Sequence, residues 1–133
     1  MVPLTIDLED LKAYSTTKTL DPGSVIINEG DKMPYSMFVI LEGKVKVCKN
    51  YGQSNEKNIT ELKSGEFFGE MSLFLKEPRS ATVVADTKAV ILEINQNNTY
   101  KVIKRYPELP YSILTTLCKR IQLLNQKFSI ETA

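Results

Sequence analysis

The sequence predicts a mainly β domain, a sandwich or a barrel, with helices at both ends. Short runs of β-branched and aromatic residues recur along the first two thirds of the chain at intervals of roughly 8–12 residues. Glycine-containing turns separate these runs, and after Ile94 the apolar pattern becomes helical. With 133 residues the chain has a common length for one domain. We therefore expect a single domain over residues 1–133, with the β part at about 15–94 and C-terminal helices at about 95–128.

The first predicted element is a short helix over residues 7–14, for which Asp7 is a suitable N-cap. Six strands are then predicted, at 24–28, 36–41, 44–49, 59–62, 80–85 and 89–94. The run 36–41 is continuously apolar, which is typical of a strand buried on both faces. The run 44–49 alternates lysine with apolar residues, which indicates a strand with one face in water.

Three helical segments interrupt or follow the strands, at 70–75, 95–106 and 111–128. The last carries an apolar stripe with spacings of 3, 4, 3 and 4 residues, formed by Leu114, Leu117, Ile121, Leu124 and Phe128. Such a stripe must cover either the domain's own sheet or a second copy of itself, and its spacing favours a homodimer with helix against helix.

Composition excludes several kinds of chemistry. The chain has no histidine, which rules out a Ser-His-Asp triad and histidine-ligated zinc or haem. Its two cysteines, Cys48 and Cys118, cannot form a four-cysteine zinc site and do not indicate a disulfide scaffold, so a cytoplasmic location fits best. The net charge of +1 does not mark a nucleic-acid binder. Neither a signal peptide at the N-terminus nor an apolar run long enough to span a membrane is present.

The segment 65–82 breaks the rhythm of strands and turns. A short helix opens just after Gly69, and free backbone N–H groups at a helix start favour an anion. Arg79 adds a planar, permanently charged fork suited to phosphate oxygens. Glu70 can accept hydrogen bonds from a sugar, and Ser80 and Thr82 add hydroxyls.

Each of these residues also has a purely structural interpretation. Glu70 is favoured in the first turn of any helix, and Gly69 can serve only as a turn residue. Arg79 can form a structural ion pair with Glu70 or Glu77. The order and spacing of the groups, rather than any one of them, favour a ligand with a phosphate, a ribose and a base.

The same order resembles the phosphate-binding cassette of the cyclic nucleotide-binding domain family, of the type found in catabolite activator protein and in regulatory subunits of cAMP-dependent protein kinase. The resemblance is carried by the sequence Phe-Gly-Glu-Met-Ser-Leu at 68–73 and by Pro-Arg-Ser-Ala-Thr-Val at 78–83. The glycine turns at 22–31 and the run 38–43 are also similar to the family's early strands. The Pro-Glu-Leu at 107–109, followed by a long helix, resembles the dimerising helix of bacterial members.

The resemblance implies an eight-stranded jelly-roll-like β-barrel flanked by helices and a non-enzymatic regulatory role. It also implies that Arg79 pairs with the cyclic phosphate and that Glu70 binds the ribose 2′-hydroxyl. The ligand-binding residues implied are Phe68, Gly69, Glu70, Met71, Ser72, Arg79, Ser80, Ala81 and Thr82. Because a threonine after this arginine goes with cGMP in the family, the resemblance also implies that the serine after Arg79 favours cAMP over cGMP. No further cofactor or metal is expected.

Bacterial transcription factors of this family continue into a helix-turn-helix, and the sequence ends at Ala133, so we expect no direct DNA binding. The long helix is the expected lid over the base, with Lys119, Arg120 or Leu123 as contacts. The leading alternative function is a protein-interaction module that kept the fold and lost the ligand. A cupin-like enzyme and a haem or redox sensor are disfavoured by the absence of histidine. The sequence does not identify the downstream partner protein.

Overall fold

A computed structural model describes residues 6–129 of the chain. Most of the N-terminal segment in which we found no signal peptide lies outside this range. The strands are β1 Thr16–Leu20, β2 Val25–Ile27, β3 Ser36–Glu42, β4 Lys44–Lys49, β5 Lys57–Lys63, β6 Phe67–Phe68, β7 Thr82–Ala85 and β8 Ala89–Asn95. The helices are α1 Leu8–Leu11, continued by a 3-10 turn at Lys12–Tyr14, α2 Glu70–Leu75, α3 Thr99–Arg105 and α4 Glu108–Phe128.

The eight strands form two antiparallel four-stranded sheets with the orders β1-β8-β3-β6 and β2-β7-β4-β5. The expected strand number and helix arrangement are confirmed, but the described strands are not hydrogen-bonded into a closed barrel. Sequence patterns missed β1 and β6. All but the last residue of β1 are exposed, and β6 is a two-residue strand defined by its pairing with β3.

The apolar run in β3 divides its side chains between two cores. Met37 and Val39 face a core shared by the first sheet and the helices. Phe38 and Ile40 face the second core, between the two sheets. Because successive side chains of a strand point to opposite faces, a strand lying between two cores is apolar at every position.

The C-terminal helices pack against the outer face of the first sheet. α3 is shorter at both ends than the predicted segment 95–106, and α4 begins at Glu108 rather than at residue 111. Pro110 lies in the first turn of α4, where proline is tolerated because the N–H groups there have no intrahelical partner. Among the residues described, no helix has the length and apolar character needed to cross a membrane.

Candidate functional site

A cavity of about 610 Å³ opens between the second sheet, the β6–α2 segment and the middle of α4. Its floor and one wall come from the region that the sequence singled out, and α4 covers part of the opposite side. The residues that line it are Ile27, Val47, Ile59, Thr60, Glu61, Leu62, Glu66, Phe67, Phe68, Gly69, Glu70, Met71, Ser72, Arg79, Ser80, Ala81, Val83, Thr116 and Arg120.

Gly69 brings the backbone between β6 and α2 against the floor of the cavity. Its φ of 82° lies in the left-handed region that favours glycine. A Cβ at this position would lie 2.9 Å from Nη1 of Arg79 and 3.0 Å from the carbonyl oxygen of Ser36. Any larger residue would therefore displace Arg79. Glycine is needed here so that the arginine can approach the backbone closely, as well as for the turn.

Arg79 is buried in the cavity floor, with 4% of its surface exposed. Its Nη1 donates to the carbonyl oxygens of Ser36 at 2.8 Å and Gly69 at 3.1 Å, and its Nη2 donates to that of Pro34 at 2.8 Å. The guanidinium also lies 5.7 Å from the centre of the Phe38 ring. These contacts fix the orientation of the side chain.

No carboxylate forms a salt bridge with Arg79 within residues 6–129, so the structural pairing with Glu70 or Glu77 does not occur. Burial lowers the pKa of Arg79, and Coulombic attraction from Glu93 and then Asp31 opposes that shift. The cavity floor therefore holds a positive charge that is buried, fixed and only indirectly compensated.

Glu70, the first residue of α2, is buried at the cavity wall and faces α4. Its Oε1 lies 3.2 Å from Nη1 of Arg120, whose guanidinium also lies 5.6 Å from the centre of the Phe67 ring. Of the three α4 residues expected as lid contacts, Arg120 lines the cavity, whereas Lys119 and Leu123 do not.

Eight of the nine predicted site residues line one cavity. Thr82 is the exception, because its hydroxyl oxygen accepts the backbone N–H of Glu29 at 2.9 Å on the other face of the strand. Phe68 stacks on Phe38 with ring centroids 5.0 Å apart. Sequence reasoning missed the wall formed by β5 and also Thr116 of α4. The position of Thr116, one helical turn before Arg120, was the available signal.

The cavity is lined by both charged and apolar groups. Arg79 and the backbone around Gly69 supply the charged and polar part of the lining, and Val47, Ile59 and Leu62 are among its apolar residues. A fixed arginine suits an anionic group, a buried carboxylate accepts from hydroxyls, and an apolar wall suits a flat ring. Within the described residues no cluster of three or more Cys, Asp or Glu could hold a metal ion.

A two-sheet domain with a buried arginine in its cavity is suited to a small anionic ligand. Residues 17–106 match the family described as "Cyclic nucleotide-binding domain", and the chain belongs to that family. It is 26% identical over 122 residues to the "Cyclic AMP receptor protein" of Thermus thermophilus, an alignment that covers 92% of this chain and 55% of the relative.

Solved structures share this fold. The crystal structure of the Thermus thermophilus catabolite activator protein superposes with a TM-score of 0.80 at 23% identity, covering 96% of this chain and 61% of the other. The cAMP-bound structure of PfPKA-R superposes with a TM-score of 0.61 at 32% identity, covering 68% and 32%. The chain thus spans little more than half the length of its Thermus relative.

Proposed function

We propose that this chain is a non-enzymatic sensor that binds a 3′,5′-cyclic nucleotide in the cavity and passes the signal on through α4. The observation that carries the proposal is Arg79, a buried arginine in the cavity floor that has no carboxylate partner in the described part of the chain. An isolated buried charge is energetically unfavourable, and an anionic ligand would supply the direct countercharge that Arg79 lacks among the described residues. Membership of the family supports the same ligand class.

The number of N–H groups that Arg79 has left for a ligand equals the number of exocyclic oxygens on a cyclic phosphate. A guanidinium has five N–H groups, and three of them donate to backbone carbonyls. Two remain without a partner among residues 6–129, one on Nε and one on Nη2. Two donors in a rigid plane suit the two exocyclic oxygens of a cyclic phosphate.

Glu70 is the proposed acceptor for the ribose 2′-hydroxyl. A carboxylate can accept several hydrogen bonds, so binding the sugar does not require Arg120 to leave it. The contact between Glu70 and Arg120 joins the sugar position to α4. Ligand binding at this point can therefore shift α4 between two packings, which is how a domain without catalysis transmits a signal.

Calorimetry with cAMP and cGMP tests the proposal on the native chain and on Arg79→Ala. Charge-assisted hydrogen bonds contribute about 1.5–3 kcal/mol each, so the variant should bind at least ~10–100-fold more weakly. Arg79→Lys should also bind more weakly, because a point charge cannot replace the planar fork. Arg105→Ala is the matched control, since Arg105 is exposed on α3 and pairs with Asp10.

The outcomes separate the two functions that we weigh. A native chain that binds neither nucleotide would favour the alternative of an interaction module that lost its ligand. Binding that survives Arg79→Ala would reject the role of Arg79. We propose cAMP as the preferred ligand because a serine follows Arg79 and because the PfPKA-R structure is cAMP-bound. A clear preference for cGMP in direct competition would reverse that choice.

The role of Glu70 has its own test. If Glu70 accepts from the 2′-hydroxyl, 2′-deoxy-cAMP should bind the native chain more weakly than cAMP, by about 10–100-fold for one charge-assisted hydrogen bond. Glu70→Gln should reduce that difference. Additive effects of the two changes in a cycle of protein and ligand variants would show that the groups do not meet.

A further inference from the structure

Glu93 of β8 is a largely buried carboxylate that the proposed ligand contacts do not use. Its side chain is 13% exposed, and its Oε1 lies 2.6 Å from Nζ of Lys18 on β1. Its Oε2 accepts the hydroxyl of Ser36 at 2.6 Å. Burial is the largest single effect and raises the pKa of Glu93, but the hydrogen bonds to Lys18 and Ser36 and the charges of Lys18 and Arg79 together outweigh it. The pKa is therefore lowered, and the group is an anion at neutral pH.

Ser36 connects this carboxylate to the cavity. The residue is fully buried, its hydroxyl donates to Glu93, and its carbonyl oxygen accepts from Nη1 of Arg79. Glu93 thus lies behind Arg79, separated from it by one residue and beyond salt-bridge distance. Its charge raises the pKa of Arg79 more than the charge of Asp31 does, which opposes the lowering by burial.

We propose that Glu93 is a positioning residue that sets ligand affinity by serving as the resting countercharge of Arg79. In the ligand-free chain it stabilises the buried guanidinium and holds the Ser36 contact that orients it. In the bound chain it lowers affinity for the anion. This inference depends on the proposed contact between Arg79 and the ligand phosphate.

The sign of the effect follows from the charges. Without ligand, Glu93 attracts Arg79 more strongly than Asp31 does, and no carboxylate among residues 6–129 forms a salt bridge with the guanidinium. When a phosphate binds, the arginine is neutralised from the cavity side, and the carboxylate now faces a second negative charge across it. Like charges in a partly desolvated region repel over several ångströms. Glu93 therefore favours the ligand-free state, and Lys18 moderates this by neutralising part of its charge.

Glu93→Gln tests the inference because glutamine removes the charge and keeps an acceptor for the Ser36 hydroxyl. Calorimetry with cAMP should show tighter binding than in the native chain, by about 3–20-fold. Thermal unfolding of the ligand-free variant should occur at a lower temperature. Glu42→Gln, an exposed glutamate at the end of β3, removes the same charge away from Arg79 and should leave affinity unchanged. Unchanged or weaker binding by Glu93→Gln would overturn the inference.

Lys18→Gln gives a second test that is insensitive to the folding of the first variant, since Lys18 is 44% exposed. Removing this cation leaves the Glu93 charge less screened, so affinity should fall by about twofold or more. A purely structural ion pair would shift affinity in the same direction on losing either partner, whereas we expect opposite directions. Affinity that is unchanged or higher in Lys18→Gln would overturn the inference. If Arg79→Ala abolishes binding and the Glu93 and Lys18 variants behave alike, this inference fails and the proposed function stands.

Discussion

Leu109 and Ile113, in the first half of α4, are almost fully buried, whereas Ile121 and Leu124, in the second half, are 51% and 53% exposed. The buried pair belongs to the core shared with the first sheet, and Leu117 packs against that core at the boundary. Past this boundary the ion pair between Arg120 and Glu70 connects α4 to the cavity wall. One continuous helix therefore has an anchored half and a half with its apolar residues in solvent.

This difference assigns separate tasks to the two halves. The anchored half contributes to the stability of the fold, because burying an apolar side chain contributes about 1.5–3 kcal/mol. The second half carries an apolar surface that the described chain does not cover, and it crosses the cavity at Arg120. Four of the five residues in the predicted stripe, all but Leu117, are exposed. The intramolecular alternative, in which the stripe packs on the sheet, describes Leu117 and none of the other four stripe residues.

The largest expected effect is a difference in stability between substitutions in the two halves of α4. Ile113→Ala should lower the free energy of unfolding by about 2–5 kcal/mol, because it leaves a cavity in a packed core. Ile121→Ala, the same substitution two turns later, should change it by less than ~0.5 kcal/mol at a protein concentration where the chain is monomeric. Urea unfolding of both variants measures the difference. Equal losses would show that the second half is buried in solution.

A second prediction concerns what covers the exposed half. We expect a homodimer in which the second halves of two α4 helices pack together, and Ile121→Glu/Leu124→Glu should disrupt it by placing charges in the interface. Light scattering at micromolar concentration, with and without cAMP, measures the association. The two substitutions lie at exposed positions, so they should leave the monomer folded.

The matched control for assembly is Gln122→Glu/Gln126→Glu, which adds the same charge on the same helix at exposed polar positions. This variant should remain a dimer. A native chain that is monomeric under all these conditions would contradict the homodimer. A dimer that tolerates both charges at positions 121 and 124 would place the interface on another surface.

A smaller effect tests the anchor at the start of α4. The hydroxyl of Tyr106, just before the helix, donates to the carboxylate of Asp10, which Arg105 also contacts. Burial and then the hydrogen bond to Asp10 raise the pKa of Tyr106 from 10.0 to about 12. A raised pKa in the folded state stabilises the protein below pH 10 and loses that contribution as the pH rises through about 12.

Tyr106→Phe removes this ionisation. The difference in unfolding free energy between the native chain and the variant should be constant near neutral pH and should shrink between pH 10 and about 12. Denaturant unfolding of both proteins over that pH range measures the difference. Lysines titrate in the native chain and in the variant alike, so their contribution cancels when the two free energies are subtracted. A difference that grows with pH would show that Tyr106 is not held as a donor.

Much of the fold was predictable because local patterns decide it. The continuous apolar run of β3, the alternation in β4 and the periodicity of α4 each reflect how a segment meets the core. β1 and β6 were missed because they are defined by pairing with distant strands rather than by their own residues. The boundary at Leu117 could not be predicted, since it depends on where the first sheet ends beneath the helix.

At the site, the sequence identified the residues but not all of their orientations. The prediction that Gly69, Glu70 and Arg79 lie together rests on their proximity along the chain, and one cavity contains all three. Thr82 faces the opposite side because strand alternation places Ala81 and Val83 toward the cavity. Two of the three carbonyls that hold Arg79, those of Pro34 and Ser36, and the carboxylate of Glu93 come from distant segments. They became visible only once β3 and β8 were paired.

The position of β5 at the edge of its sheet has a consequence for hydrogen exchange. In the described chain β5 pairs only with β4, so alternate backbone N–H groups along it point away from the sheet and are open to water. Those amides should exchange quickly, whereas the amides of β8, between two neighbouring strands, should exchange slowly. Because β5 also forms a wall of the cavity, slower exchange of its amides after a ligand is added would show that the cavity is occupied. The ligand itself would need no label.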